Sequence, residues 1–408
     1  MGCPARELNN KKISINPVIL MEKEDLGMVK RKKIKIFINQ QARDGAGTVL
    51  AIEWARGFKA NGCDVYATVP DTATNLDEWL DEIGSDKLFI IKDYKDKNKW
   101  DFVIKTMYLF FVDQWKIRKK FRMIKFDFSF RTLYGHWNSI VERCIKKDKI
   151  VSICHDPISH SGEKGYFAKA VRKSIIDSDD VVVLTKSFVP LVNKNYNIPI
   201  EKIHFVPHGR MSSYVKCQDD RYKIDYSKDK YNFVFFGRIE KYKGLHVLAE
   251  AGKILQEKRA DFTIVVAGNG DFTEYEKEYS EIKNSKVINR FIPDQEVGCL
   301  FSGPNIIAII PYLDATQSGV IPIAYEYETP IIASNTGGLK EQLDNGKIGL
   351  LFEAGNAAEL AQKMEYIMDN KDEFNRQAEL IRNFRESLNW DVLAKKLLND
   401  LNFYKGNN

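Results

Sequence analysis

The chain has 408 residues, of which 44% are hydrophobic and 29% are charged. This length is too great for one ordinary core and predicts two domains, and the composition excludes a disordered protein. The formal net charge of +6 favours anionic ligands but is too modest, at this length, to indicate nucleic-acid binding. Six scattered cysteines without a CxxC pair exclude a zinc ribbon and favour reduced thiols in a cytoplasmic protein.

The first half of the chain predicts one α/β domain behind a polar leader. Residues 1–33 lack the apolar core of a signal peptide, and a poorly ordered leader is expected there. A short apolar strand at 34–38 is followed by a loop containing Gly45 and Gly47, then by a predicted helix from Thr48 to Ala60. Strands alternating with helices predict a doubly wound sheet, assigned to an N-terminal Rossmann-like domain over residues 34–208. Its further strands are expected at 64–69, 150–154, 180–184 and 202–206.

The segment 100–147 has an unusual composition. Aromatic and aliphatic residues at 107–112 and Trp115 are followed by a cluster of lysines and arginines between Lys116 and Lys125. Aromatic residues beside cations are typical of a membrane interface or of a site for an anionic acceptor. We therefore expect peripheral contact with an anionic membrane through residues 107–125, on the cytoplasmic face. A core helix with a solvated basic face is the alternative. No run of 18 apolar residues predicts a membrane span.

The second half predicts another α/β domain. Residues 209–230 are polar and are assigned to the connection between the domains. Apolar runs then predict the strands of a C-terminal Rossmann-like domain over residues 231–385. The end of the chain, residues 386–408, predicts a helix that could cross back to the first domain. The strands of the second domain are expected at 233–236, 262–267, 286–289, 306–310 and 330–334.

A phosphate site is predicted where the first strand of the second domain ends. Gly237 breaks this strand, and Arg238 and Lys243 bracket a short loop before a helical pattern that begins at Gly244. Strand ends and positive helix N-termini converge at such a point in a parallel sheet, and cations there suit a phosphorylated ligand. Asn269 lies in a second loop of this kind, which follows the strand 262–267.

A third loop precedes a predicted helix at Val320–Tyr327. The backbone N–H groups of Ser318, Gly319 and Val320 are expected to be free at this helix start and to face a ligand. The pair Gly337 and Gly338 forms another loop between a strand and a helix. Each loop alone is equally consistent with an ordinary turn, but their position at one edge of one sheet favours ligand binding.

Three segments of the second half carry a family resemblance: GRIEKYKGLHVLAEA, VVAGNGDF and PIIASNTGGLKEQLDNGKIGLLFEAGNAAELAQKM. They resemble the retaining, nucleotide-sugar-dependent glycosyltransferases (glycosyl transferases group 1), a family that includes glycogen synthases and many polysaccharide and lipopolysaccharide enzymes. The resemblance is strong over residues 231–385 and looser over 34–208. It implies the glycosyltransferase B fold, in which two Rossmann-like domains face each other across a cleft.

The resemblance also implies roles for individual residues. Arg238 and Lys243 would hold the diphosphate of the donor, and the loop with Gly45 and Gly47 would approach it from the other domain. His155 matches the histidine that faces the transferred sugar. Phe291 lies in the segment that matches the binding site of the nucleotide base.

One departure from the family pattern concerns two glutamates that lie eight residues apart. Their positions fall at Ala315 and Ile323 here, and neither residue is acidic. We expect Gln317 to replace the first glutamate by bonding a sugar hydroxyl. Glu326 is the candidate for the second role, at the ribose, if the helix is shifted in register.

The expected function is transfer of a sugar, with retention, from a nucleotide-diphosphate sugar to a glycan or lipid-linked acceptor in polysaccharide biosynthesis. No cofactor and no metal site are predicted, because the cations and helix termini would stabilise the leaving diphosphate. Two alternatives remain open. The same fold could support a sugar-nucleotide epimerase, or the missing glutamates could mark a non-catalytic partner subunit.

Overall fold

The computed structural model describes residues 33–42, 45–93, 99–134, 137–157, 165–211 and 223–404. The expected leader, apart from Lys33, lies outside these residues, and so does most of the predicted connection at 209–230. All the residues singled out as candidates for the site are described.

The first domain is built on a parallel sheet that contains, within the described residues, seven strands in the order β3-β2-β1-β4-β5-β6-β7. Most of its central strand residues are fully buried because helices cover both faces of a parallel sheet. The strands are β1 Lys35–Asn39, β2 Asp64–Pro70, β3 Leu88–Ile91, β4 Lys125–Arg131, β5 Lys146–Cys154, β6 Asp180–Val183 and β7 Ile203–Phe205.

The helices of the first domain follow its strands in turn. The first helix begins at Ala46, two residues earlier than predicted, because the carbonyl oxygen of Gly45 accepts bonds from both the amide and the hydroxyl of Thr48. A π-helical segment, Leu109–Asp113, joins the third helix to the fourth. The helices are α1 Ala46–Ala60, α2 Leu76–Ile83, α3 Lys99–Tyr108, α4 Gln114–Phe121, α5 Asn138–Glu142, α6 Gly165–Ile176 and α7 Phe188–Tyr196.

The second domain is built on a parallel sheet of six strands, counted over 223–404, in the order β10-β9-β8-β11-β12-β13. The strands are β8 Tyr231–Phe236, β9 Phe262–Gly268, β10 Ser285–Asn289, β11 Ile306–Ile310, β12 Ile331–Ser334 and β13 Leu350–Phe352. The helices are α8 Leu245–Gln256, α9 Glu276–Ser280, α10 Asp294–Phe301, α11 Val320–Glu326, α12 Leu339–Gln342, α13 Ala357–Asp369, α14 Lys371–Arg385 and α15 Trp390–Asp400. Two such sheets confirm the predicted fold class, an α/β protein with two Rossmann-like domains.

The last helix, α15, packs against the first domain. Its apolar face, with Trp390, Leu393 and Leu397, belongs to the core that also contains Trp54 and Phe58 of α1. The rings of Trp54 and Trp390 lie 5.3 Å apart, between centroids. The chain therefore returns to the first domain after completing the second, so that the domains are linked by two segments.

Arg210 ties these two linking segments together. Its backbone N–H donates to Leu388, and its carbonyl oxygen accepts a 2.6 Å bond from the indole of Trp390. Its guanidinium donates to both carboxylate oxygens of Glu326, at 2.9 Å each. The segment between the domains is thus bonded to the second domain and to the returning helix at one point.

The cysteines only partly follow the expectation from sequence. Cys63, Cys144 and Cys154 are free and buried, as expected for reduced thiols. Cys299, on α10, is in a disulfide bond, so the expectation is wrong at this position. Among the helices that the structure describes, none combines the length and the apolar character needed to cross a bilayer.

Candidate functional site

Two glycines bring the ends of β8 and β9 into close contact. The backbone φ of Gly237 is 140° and that of Gly268 is 151°, values that residues with a β-carbon rarely adopt. A β-carbon on Gly268 would lie 1.8 Å from the carbonyl oxygen of Gly237. Ile239 then donates its amide to the carbonyl oxygen of Asn269, which joins the two loops at 2.9 Å. Asn269 itself is exposed at this edge of the sheet.

Arg238 and Lys243 flank the loop that follows β8. Arg238 is exposed, whereas the ammonium of Lys243 lies 3.7 Å from the ring centre of Tyr312. The pKa of Lys243 is lowered to about 8, mainly by burial and in smaller part by the charge of Arg238. Gly244 ends this turn with φ of 69°, and a β-carbon there would lie 1.9 Å from the carbonyl oxygen of Pro311. The loop after β8 is therefore packed directly on the loop after β11.

The loop after β11 differs from its predicted form. Ser318 is buried, and its amide donates to the side chain of Gln342 at 2.8 Å. The amide of Val320 donates to the hydroxyl of Ser318 at 3.2 Å. Two of the three N–H groups expected to be free are thus bonded inside the domain. Gly319 is exposed, and the space where a β-carbon would stand is empty within 4 Å.

Gln317 presents an unsatisfied acceptor in the same loop. Its carbonyl oxygen Oε1 is buried and accepts no hydrogen bond from the residues that the structure describes. A buried polar atom without a partner costs free energy, and such an atom is commonly satisfied by a ligand or by water. The position is consistent with the predicted contact to a sugar hydroxyl.

The loop after β12 holds the backbone of this segment in place. Gly337 has φ of 48°, and a β-carbon there would lie 1.6 Å from the carbonyl oxygen of Ala315. A β-carbon on Gly338 would lie 2.3 Å from the carbonyl oxygen of Thr316 and 2.7 Å from Thr185, in the first domain. The glycine pair is needed because the loops after β11 and β12 and the first domain meet there.

On the side of the first domain, His155 follows β5. Its Nε2 lies 2.7 Å from the carbonyl oxygen of Thr132, which can only accept, so Nε2 carries the proton. Burial lowers the pKa of His155, and the ring is therefore neutral near pH 7. The next residue, Asp156, accepts a bond from the hydroxyl of Thr316 in the second domain. His155 thus lies beside the contact that joins β5 to the loop containing Gln317.

The remaining candidate residues differ in how much open space surrounds them. Gly45 caps α1 with φ of 67°, and no atom is found within 4 Å of the place of its missing β-carbon. Gly47 lies within α1, where a β-carbon would be 2.2 Å from Leu133. Phe291 is 60% exposed after β10 and leaves a ring face available to a stacking ligand. Gly45 is thus open to a ligand, whereas Gly47 serves packing.

Glu326 does not occupy the position expected for it. Its side chain is 1% exposed, and both its oxygens are bonded to Arg210 at the link between the domains. As it stands, it has no free oxygen for a ribose. Ala315 and Ile323, at the two positions where the family pattern has glutamates, are 3% and 5% exposed and belong to the core of the second domain.

Sequence reasoning missed several residues that join the domains. Glu341, on α12, accepts bonds from the backbone amides of Lys186 and Ser187 before α7, at 2.6 and 3.3 Å. A cavity of about 570 Å³ lies beside this contact, with Phe205 and His208 among the residues of its wall. Asp156 and Arg210 were also missed. Asp156 lies two residues after a predicted strand and Arg210 lies in the predicted connection, and most polar loop residues share such positions.

The second domain matches a known protein family. Residues 218–387 match the model of a family described as "Glycosyl transferases group 1". This match covers less than half of the chain and lies in the second domain, which is therefore similar to the glycosyl transferases group 1 family. The family resemblance that the sequence motifs indicated is therefore confirmed, and the family model covers β8 to α14 with the loops of Arg238, Gln317 and Gly337.

Relatives of this glycosyltransferase family match the chain only in part. The D-inositol 3-phosphate glycosyltransferase of Pseudarthrobacter chlorophenolicus is 24% identical over 201 residues, which make up 47% of this chain and 47% of that protein. The chain spans less than half the length of the first curated relatives it matches.

Solved structures match nearly the whole chain. A glycosyltransferase from Rickettsia africae covers 92% of this chain and 100% of its own, with a TM-score of 0.64 and 18% identity. The Anabaena protein HepE, solved in complex with UDP-glucose, covers 91% and 100%, with a TM-score of 0.64 and 14% identity. At these identities the likeness shows the fold, which is the two-domain glycosyltransferase B fold. The roles of the individual residues stay predictions.

Proposed function

We propose that this protein is a retaining, metal-independent glycosyltransferase that uses a nucleotide-diphosphate sugar as donor. The acceptor is a glycan or a lipid-linked glycan of polysaccharide biosynthesis, reached from the cytoplasm by a protein in peripheral contact with the membrane. The family of residues 218–387 supports sugar transfer, and the bound UDP-glucose of the structural neighbour HepE supports the class of donor.

The pair Arg238 and Lys243 carries this proposal. Breaking the bond between a sugar and a phosphate builds negative charge on the leaving diphosphate. Fixed cations at that point stabilise the transition state more than the ground state, because the charge increases along the reaction. Lys243 has a lowered pKa because part of its hydration is lost, and a dianionic ligand would restore the missing stabilisation. A cation with a pKa lowered by burial is expected where phosphate binds, because its burial alone destabilises the folded state.

The opposite side of the cleft suits the sugar. Neutral His155, with its Nε2 proton on Thr132, leaves Nδ1 as an acceptor. From the second domain, Gln317 adds Oε1, a buried acceptor that no described residue bonds. Two neutral acceptors can bind hydroxyl groups without adding charge near the anomeric carbon, which becomes positive in the transition state. In retaining transfer, the leaving phosphate would then take the proton of the acceptor hydroxyl.

Substitution of Arg238 tests the proposal. Arg238→Ala should fold normally, because the side chain is exposed, and should lower transfer from candidate nucleotide sugars by roughly 100-fold or more. Lys243→Ala should have a similar effect. Lys241→Ala is the matched control, since this lysine of the same turn is 85% exposed and should leave transfer almost unchanged. Near-normal turnover in both Arg238→Ala and Lys243→Ala would refute the assignment of the site.

A second candidate is a non-catalytic partner subunit that binds the donor weakly or not at all. The burial of Ala315 and Ile323 in the core favours it, because no carboxylate can act from these positions. Hydrolysis of nucleotide sugars, measured for a panel of donors, separates the candidates, since only an enzyme releases nucleoside diphosphate. Thermal shift with the same panel measures binding; a ligand at 100 times its dissociation constant stabilises by about 2.7 kcal/mol. Appearance of an epimer of the donor would instead indicate an epimerase.

A further inference from the structure

The helical segment between β3 and β4 has one buried and one exposed face. Leu109, Ile117 and Phe121 point into a core cluster with Phe37 and Phe126 and are at most 1% exposed. Lys105 is also buried and pairs with Asp93, directly after β3, which fixes α3 to the sheet. The segment is thus held rigidly by its inner face, and its outer face is presented to the surroundings.

The outer face is rich in large apolar side chains. Trp100 is 73% exposed, Phe111 is 70% and Trp115 is 62%. The spacing of these residues follows one stripe of a helix, and Phe110 and Phe111, in the π-helical turn, are both exposed on it. We call this the α3–α4 surface; its apolar residues are Trp100, Val103, Ile104, Met107, Phe110, Phe111 and Trp115. Apolar patches of this kind usually mark an interaction site.

The same surface is strongly cationic. Residues 99–125 contain eight lysines and arginines against two aspartates, although the buried Lys105 is paired with Asp93 and adds no charge to the surface. The exposed cations Lys116, Arg118, Lys119 and Arg122 follow the apolar stripe. The ammonium of Lys119 lies 5.2 Å from the ring centre of Trp115. This surface therefore combines exposed apolar side chains with exposed cations.

We propose that the α3–α4 surface docks the protein onto an anionic lipid bilayer. Aromatic side chains would enter the boundary between headgroups and acyl chains, while the cations remain at the level of the lipid phosphates. A second copy of the chain is a poor occupant, because the exposed cations of the two copies would face each other across the contact. An anionic membrane complements both the apolar and the cationic part.

The position of the surface gives the docking a role. In a parallel sheet each strand ends at the edge of the cleft, and the following helix starts there. Trp100, Val103 and Ile104 lie at the start of α3, close after the end of β3. A docked protein would thus hold the rim of its cleft at the lipid surface, where a lipid-linked acceptor is found. This docking rests on the membrane contact of the proposed function but does not require sugar transfer, so a failed vesicle assay and a failed transfer assay are distinguishable.

Flotation of the full chain with vesicles tests the proposal. We expect binding to vesicles of phosphatidylcholine mixed with phosphatidylglycerol, much weaker binding to phosphatidylcholine alone, and release by salt. The combined substitutions Lys116→Gln, Lys119→Gln and Arg122→Gln should weaken binding about fivefold for each charge removed. Phe111→Ser with Trp115→Ser should weaken it by about tenfold or more, through lost apolar burial.

A matched control removes the same charge elsewhere. Lys277, Lys283 and Lys371 are exposed lysines of the second domain, and their replacement by Gln should leave vesicle binding almost unchanged. An equal loss in this control, or equal binding to neutral and anionic vesicles, would overturn the proposal. So would failure to bind any vesicle, or a dimer that Phe111→Ser with Trp115→Ser dissociates, since a second copy would then cover the surface.

Discussion

The lowered pKa of Lys243 predicts a pH dependence of donor use. Burial reduces this pKa to about 8, so the side chain loses its charge as the pH rises through 8. A diphosphate binds the charged form of Lys243, so this lysine must be protonated in the free protein before the donor binds. We therefore expect kcat/KM for the donor to fall on the alkaline side, because this constant reports on groups of the free protein.

The size of the fall follows from the pKa. A group with a pKa of about 8 is roughly 90% protonated at pH 7 and roughly 10% protonated at pH 9. The value of kcat/KM should thus fall about tenfold over this interval. A bound diphosphate stabilises the ammonium and raises its pKa, so kcat should stay constant to a higher pH. Lys243→Arg keeps its charge at both values and should remove the fall.

The assay is initial-rate transfer, or donor hydrolysis, measured over pH 6.5 to 9.5 at several donor concentrations. Lys241→Arg is the control, because Lys241 lies in the same turn but is exposed and pairs with Glu274 at 3.1 Å. It should keep the profile of the unmodified protein. A flat profile in the unmodified protein, or a fall that persists in Lys243→Arg, would refute the reasoning that connects this lysine to the diphosphate.

Three further substitutions test the site and its support. Glu326→Gln removes the buried partner charge of Arg210, which keeps only the exposed Glu386 at 3.4 Å, and should destabilise the protein by about 2–3 kcal/mol in thermal unfolding. Glu365→Gln, in a more exposed ion pair, should change stability by less than about 0.5 kcal/mol, and equal effects would contradict the role of the buried pair. Gly337→Ala, at φ of 48°, forces a β-carbon to within 1.6 Å of the neighbouring carbonyl oxygen and should cost at least about 2 kcal/mol, so an unchanged melting temperature would show that the loop readily rearranges. Gln317→Met removes the unsatisfied acceptor and should preserve stability while raising KM for the donor about fivefold; unchanged KM would exclude a contact with the sugar.

The fold could be predicted because its signals are local. Apolar runs such as Phe233–Phe236 and Ile306–Ile310 are read directly as buried parallel strands, and both were found close to their expected bounds. Helix starts were less certain. The first helix was expected at Thr48 and begins at Ala46, since a glycine in the first turn gives no pattern in the sequence although its carbonyl oxygen can still close the turn.

The candidate site was predictable only where the residue type itself carries the information. Arg238 and Lys243 are cations at the end of a strand, and their positions beside the glycine loops follow from that. The bonded state of Ser318 did not follow, because the side chain that accepts from its amide, Gln342, lies 24 positions away along the chain, and the local bond from the amide of Val320 to the hydroxyl of Ser318 depends on a rotamer that the sequence does not specify. The ion pair of Glu326 could not be predicted from the sequence either, since its partner Arg210 lies 116 positions away along the chain.

The sequence by itself determined the two α/β domains, the family of the second one and the pair of cations that would bind a diphosphate. Each of these depends on residues close together in the chain, whose pattern is set by strand and helix geometry. Only the tertiary structure decided which polar groups remain available in the cleft. Gln317 has an unsatisfied acceptor there, whereas Glu326 and Ser318 are already bonded, because hydrogen bonds form between whichever groups the fold brings together.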